Sequence, residues 1–259
     1  MTSTDEYLTL DEIADLTRTP LSSVRAWVRQ GKLAATRPGR RVLVRRTDLD
    51  TLLRTSAIRG STLYRGHVAD TRSRIVLGDL TLVEPTIDEV IAHSEALASA
   101  YNDPHNAPLL GHTEELDSFD VVDHYRDLLD EGARPFLLYV DGQLVGDVDL
   151  RGIAGGTAEF AFLIAAKSAQ GKGLGTRFAR ALTAFGFRDL GLHHVYASVA
   201  PINAASARVF GKLGFVVDES EAARGYADEP ADITFSIDRA TFETTNAALL
   251  ADVCIERIP

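Results

Sequence analysis

Glu159-Phe-Ala-Phe-Leu-Ile-Ala-Ala-Lys-Ser-Ala-Gln-Gly-Lys-Gly-Leu-Gly-Thr-Arg177 passes from an apolar run, through a polar turn, into a segment with glycine at alternate positions. The run Ala158–Ile164 reads as a strand and Gly173–Leu190 as a helix. Glycines let a backbone approach an anion closely, and the free amides and dipole of a helix start favour negative charge there. Lys172 and Arg177 add positive charge, so the turn reads as a phosphate cradle. It is neither of two common phosphate motifs. A Walker A loop needs Gly-Lys followed by Ser or Thr, and a dinucleotide fingerprint needs a third glycine where Arg177 or Phe178 stands.

Around this turn the texture alternates. Leu80–Val83 reads as a strand, Ile87–Ala100 as a helix with Ile87, Val90, Ile91 and Leu97 on one face, and Phe119–Asp130 as a second helix. Asp141-Gly142 between Pro135–Val140 and Leu144–Leu150 is the signal of a hairpin with a type I′ turn. Beyond the turn come a strand Val195–Val199, a helix Ala204–Leu213, a strand Gly214–Val217 and a last strand Ile233–Ile237.

The motif Gln170-x-x-Gly173-x-Gly175 resembles the coenzyme-binding signature of the GCN5-related N-acetyltransferase (GNAT) superfamily, and it stands between a strand and a helix as there. Asn203-x-x-Ser206-x-x-Val209-Phe210-x-Lys212-x-Gly214-Phe215 resembles that family's second motif, in the form of its ribosomal-protein N-acetyltransferase branch. The resemblance implies an α/β (α+β) fold, a mixed central sheet with two parallel strands splayed apart and flanked by helices. It implies acetyl-CoA as cofactor and no metal. Ala165 and Ala166 would then bond the pantetheine arm, Gln170, Gly171, Lys172, Gly173, Gly175 and Thr176 the pyrophosphate, and Asn203 and Ser206 the pantetheine end. Asn203 also suits a helix N-cap.

Acetyl transfer to an amine needs removal of the ammonium proton, donors for an oxyanion and a proton for the departing thiolate. By the resemblance Glu159 is the general base and Ser206 a candidate to quench the thiolate, because the tyrosine of many relatives falls at Phe210. Asp147 and Asp149 share a strand face by period-2 spacing and suit a cationic acceptor. His193 and His194 precede a strand and read as structural.

Residues 1–60 hold 11 Lys+Arg against 7 Asp+Glu, a net of +4, whereas the remainder holds 16 against 30, a net of −14. Such asymmetry points to a basic nucleic-acid module on an acidic domain. Thr9 with Glu12 makes a capping box, Thr19-Pro20 breaks the chain, and Arg37-Pro-Gly-Arg40 is a turn between short extended pieces. Residues 7–55 resemble the excisionase/MerR-like winged helix-turn-helix, through motifs that run from Leu10 to Leu49. This implies a second helix in the major groove presenting Ser22, Ser23, Arg25 and Arg29, with Arg40 and Arg41 on phosphate. Trp27 reads as core, and one such small module implies a homodimer on a two-part site.

The expected organisation is therefore a DNA-binding domain over 1–56, a linker over 57–75 and a transferase domain over 76–259. The acidic, polar N-terminus and the lack of a long apolar run point to a cytoplasmic protein with no membrane partner. Cys254 is the single cysteine, so no internal disulfide forms. Two functions fit: an acetyl-CoA-dependent N-acetyltransferase acting on a primary amine (protein N-terminus or lysine, polyamine or amine antibiotic), or a regulator whose transferase domain senses acyl-CoA.

Overall fold

The computed structural model describes residues 7–17, 19, 21–29, 31–36, 42–55, 71–110, 115–165, 173–227 and 231–259, with the backbone alone at 22, 23, 26, 29, 54 and 55. The chain divides into two compact units, Met1–Arg65 and Gly66–Pro259.

In the first unit, strand β1 (Tyr7–Thr9) leads into helices α1 (Leu10–Thr17) and α2 (Leu21–Arg29). Strands β2 (Ala35–Thr36) and β3 (Leu43–Arg45) and helix α3 (Arg46–Thr55) follow. The capping box starts α1: Thr9 N donates to Glu12 Oε2 at 2.8 Å, and Glu12 N to Thr9 Oγ1 at 3.3 Å. Ile13, Val24, Leu33, Val44 and Leu49 form its core, with Trp27 packed against them rather than offered to solvent.

The second unit is built on a sheet that, among the described residues, has nine strands in the order β10-β11-β9-β8-β7-β6-β5-β4-β12. Its first half runs β4 (Arg72–Leu77), β5 (Leu80–Val83), helix α4 (Ile87–Tyr101), helix α5 (Ser118–Asp130), β6 (Arg134–Val140) and β7 (Gln143–Ala154). The second half runs β8 (Thr157–Ile164), α6 (Leu174–Arg188), β9 (His194–Val199), α7 (Ala204–Leu213), β10 (Val216–Val217), α8 (Glu221–Arg224), β11 (Ile233–Asp238), α9 (Arg239–Leu250) and β12 (Cys254–Ile258). Asp141 and Gly142 both take positive φ, 48° and 75°, as the type I′ turn requires. The β8–β9 pair is parallel, and the sheet is therefore mixed.

Of the elements not read from the sequence, three complete the sheet and its packing. Residues 72–75, taken as linker, belong to β4, which pairs with both β5 and β12. Helix α9 and strand β12 extend the unit beyond Ile233–Ile237, the last strand expected. One face of the sheet packs against α6, α7 and α9 through Phe160, Phe178, Phe185, Phe210, Phe242 and their neighbours. The other meets α4 and α5 through Val90, Leu97, Val121, Tyr125 and Leu137.

Candidate active site

Strands β8 and β9 pair at three positions, Thr157–His194, Ala158–Val195 and Glu159–Tyr196. Past Glu159 they part. From there β8 keeps its partners on β7, ending at Gly146–Ile164, while β9 keeps its partners on β11, ending at Val199–Ile233. A cavity of about 320 Å³ opens at this split. It is lined by Phe162–Ile164 of β8, Gly173–Thr176 at the start of α6, Asn203, Ser206 and Val209 around α7, and His105, Asn106, Leu109 and Leu110 after α4.

Two local features hold the strands apart. Opposite Leu138 and Tyr139 of β6 the register slips, leaving Val145 of β7 as an extra residue. Such a bulge bends its strand and increases the twist. Gly146 follows it, and a Cβ there would lie 1.9 Å from the Leu163 carbonyl oxygen, so glycine is obligatory. The bulge also turns the Val145 carbonyl to accept from Ala165 N at 2.8 Å, which fixes the end of β8. Beneath the split lies Phe210, 2% exposed. Its ring centroid is 5.4 Å from Phe160 and 5.9 Å from Phe162 on β8, and 6.2 Å from Phe235 on β11. One ring thus spans from β8 to β11 where β9 has withdrawn. The residue that sequence comparison marks as a missing proton donor is a packing wedge.

Gly173 caps α6 in the left-handed conformation, φ 78°, and offers no side-chain cap to the first amides of the helix, whose residues Gly173–Thr176 line the cavity. A Cβ on Gly175 would meet Val209 Cγ2 at 3.3 Å and Phe162 Cε2 at 3.6 Å, so this glycine lets α6 start tight against β8 and α7. Thr176 lines the same wall. Arg177 does not serve the cradle as expected: its guanidinium donates to the Leu77 carbonyl and pairs with Asp79. That guanidinium, as hydrogen-bond donor, holds the Asp79 carboxyl below its ordinary value. Asn203 is the N-cap of α7: its Oδ1 accepts from Ser206 N at 3.0 Å, and its Nδ2 donates to Leu109 O at 3.4 Å. Ala166, Gln170, Gly171 and Lys172 lie outside the described residues, as do Arg40 and Arg41 and the side chains of Ser22, Ser23 and Arg29. Arg25 is exposed on α2.

Asp147, Asp149 and Glu159 share the sheet face turned toward α4 and α5, opposite the one that packs on α6. The two aspartates are buried and engaged. Asp147 Oδ2 accepts from Tyr101 at the end of α4 and from Tyr125 of α5, the latter at 2.9 Å. Asp149 takes a two-pronged bond from Arg151, both contacts 2.7 Å. Burial raises the Asp147 carboxyl to about 6, against the lowering effect of the two phenols. Burial first, and the Asp147 charge second, push both tyrosines well above their ordinary range, so they remain donors. His193 is structural, its Nε2 lying 2.9 Å from Gly155 O. Among the described residues no three His, Cys, Asp or Glu side chains are grouped to hold a metal, and no helix is long and apolar enough to cross a membrane.

Residues 79–216 match the acetyltransferase (GNAT) domain model, more than half of the chain. The chain belongs to the GNAT family. Residues 7–57 of this GNAT protein match a helix-turn-helix domain model. Spermidine N(1)-acetyltransferase of Escherichia coli (strain K12) is 36% identical over 91 residues, 34% of this chain and 48% of that protein. The probable N-acetyltransferase YjcK of Bacillus subtilis (strain 168) is 38% identical over 77 residues, 29% and 42% of the two chains. The chain thus spans about half the length of these curated relatives. Among solved structures, Mycobacterium smegmatis RimJ in complex with CoA-disulfide superposes with TM-score 0.55 at 18% identity, over 71% of this chain and 96% of that one. Aminoglycoside acetyltransferase AAC(6')-Ib in complex with coenzyme A superposes with TM-score 0.53 at 21% identity, over 67% and 99%. These likenesses agree with the GNAT fold built up above.

The raised Asp147 carboxyl makes a definite pH prediction. Its folded value of about 6 exceeds the 3.8 of an unperturbed aspartate, so its contribution favours the folded state at low pH and is lost as pH rises through about 6. Asp147→Asn keeps an acceptor for the two phenols but cannot ionise. Denaturant unfolding should show the variant losing about 2 kcal/mol less stability than wild type between roughly pH 4.5 and pH 7. Identical pH dependence in the two proteins would contradict the assignment.

Proposed function

We propose that the chain is an acetyl-CoA-dependent N-acetyltransferase that acts on a primary amine and carries a DNA-binding module at its N-terminus. The observation that carries this reading is the split beyond Glu159, with a cavity bounded by two glycine-capped or asparagine-capped helix starts. The residues present fit the coenzyme. A pantetheine arm needs a gap between parted strands and an apolar wall, and Phe162, Leu163 and Ile164 line the cavity where β8 has parted from β9. A pyrophosphate needs converging amides, which Gly173–Thr176 offer.

Acetyl-CoA supplies an activated thioester. In this reading Ala165 and Ala166 bond the pantetheine arm, and Gln170, Gly171, Lys172, Gly173, Gly175 and Thr176 hold the pyrophosphate. Asn203 keeps α7 capped while its amide faces the arm. Glu159 stands at the apex of the split, on the face where the acceptor arrives, and takes the proton of the ammonium group. The Ser206 hydroxyl passes a proton from water to the thiolate, regaining its own from that water, a role that Phe210 cannot fill. Asp147, held by the neutral hydroxyls of Tyr101 and Tyr125, contributes negative charge on the acceptor side, while the charge of Asp149 is matched by Arg151, which fixes its position there. A polyamine is the acceptor we favour, consistent with the spermidine N(1)-acetyltransferase and aminoglycoside acetyltransferase names of two relatives.

The buried Phe210 supports a second reading, in which the domain binds acyl-CoA as a signal without turnover. One experiment separates the two. The full chain is incubated with acetyl-CoA and a panel of primary amines, and free CoA is followed with a thiol reagent. Turnover that Glu159→Gln lowers by about 10²-fold or more supports the transferase and its base. Tight acetyl-CoA binding with no CoA release supports the sensor.

The DNA-binding proposal rests on the matched helix-turn-helix segment and the exposed Arg25 on α2. Binding of the full chain to mixed-sequence duplex DNA, read by fluorescence anisotropy, should weaken by about tenfold or more between roughly 50 and 200 mM salt. Arg25→Ala should weaken it further. Absent or salt-insensitive binding would favour a protein-interaction module.

A further inference from the structure

Tyr226 lies beside the apex of the split, against Thr157 and Tyr196. It follows α8, with its amide donating to Ala223 O at 3.0 Å. Its ring stacks on Tyr196, centroids 4.4 Å apart and planes 12° from parallel. Tyr196 also stacks on His194 at 4.9 Å and is 7% exposed. The Tyr226 hydroxyl lies 2.7 Å from Thr157 Oγ1, and a Cβ on Gly152 would lie 3.8 Å from Tyr226 Cε1. One side chain therefore bridges β8 and β9 at the end where they are still paired, with Gly152 of β7 leaving room beside its ring.

These contacts fix its relation to Glu159. Tyr196 is the cross-strand partner of Glu159, and Thr157 is two residues before Glu159 on the same face of β8. Tyr226 is bonded to one neighbour of Glu159 and stacked on the other. An ammonium group presented to the Glu159 carboxylate thus arrives on the sheet face that Tyr226 borders, and a tyrosine ring attracts a cation over roughly 6 Å. The ring is half-buried and pinned at its hydroxyl, so it offers that attraction without an ordering cost.

We infer that Tyr226 is a specificity-determining residue for the acceptor, its ring flanking an unbranched primary alkylammonium group delivered to Glu159. This rests on the transferase reading above. Its test compares wild type, Tyr226→Phe and Tyr226→Ala as full chains, with spermidine as the probe. Tyr226→Ala should raise the KM for spermidine about tenfold and leave the KM for acetyl-CoA unchanged, because the ring acts on the amine alone. Tyr226→Phe, which keeps the ring and loses the bond to Thr157, should stay within about twofold of wild type. Equal losses in both variants, a parallel rise in the KM for acetyl-CoA, or no change in Tyr226→Ala would overturn the inference. If wild type releases no CoA, the transferase reading fails, and calorimetric titration of spermidine into the CoA-saturated chain takes its place. A tenfold weaker Kd in Tyr226→Ala then supports the ring's role, and a wild type that does not bind spermidine overturns it.

Discussion

The parting of β8 from β9 after Glu159 is the constraint on which the second unit depends. Parallel strands in register would continue to pair, since each buried amide left without a partner costs free energy. Here the bulge at Val145 twists β7 and commits the end of β8 to it through the Ala165–Val145 bond. Meanwhile β9 stays committed to β11 over its whole length. The void this leaves under the sheet is filled by the Phe210 ring, whose edge-on contacts to Phe160 and Phe162 follow the preference of aromatic pairs for non-sandwich geometry. The opening above it is left to a ligand.

Everything around the split serves its shape. Helix α6 starts at a left-handed glycine and approaches α7 closely because Gly175 carries no side chain. Helix α7 is capped by Asn203, whose second amide contact reaches the segment after α4 and ties the opposite wall of the cavity to the same residue. On the acceptor side, Asp147 joins α4 and α5 to β7 through two tyrosine hydroxyls. A buried carboxylate held this way fixes the docking of both helices, because any other packing would leave its charge or the phenols unpaired.

The local rules of the sequence carried much of this. The Thr9–Glu12 box, the Asp141-Gly142 turn and the glycine-spaced start of α6 are each written within a few residues, and the structure has them there. What escaped depends on distant partners. In β4, Ser73 is fully buried because Glu84 accepts its amide and Arg134 and Arg257 donate to its hydroxyl, contacts that no short window contains. Helix α9 hides because its inward stripe of Phe242, Asn246 and Leu250 has asparagine at its centre, satisfied by the carbonyls of Leu213 and Phe242 and by Arg180. Arg177 looked like a phosphate ligand by position, but Asp79, far away in sequence, claims it. Tyr226 gave no signal at all, since its meaning lies in stacking on a strand thirty residues earlier.

In this reading the side of β8 that parts from β9 after Glu159 receives the arm of coenzyme A. Amide hydrogen exchange over Phe160–Ala165, measured on the full chain with and without saturating CoA, addresses it directly. CoA should slow exchange in this stretch and in the first turn of α6, while Ile233–Ile237 on β11, already paired with β9, stays unchanged. CoA that binds yet leaves exchange over Phe160–Ala165 untouched would contradict it.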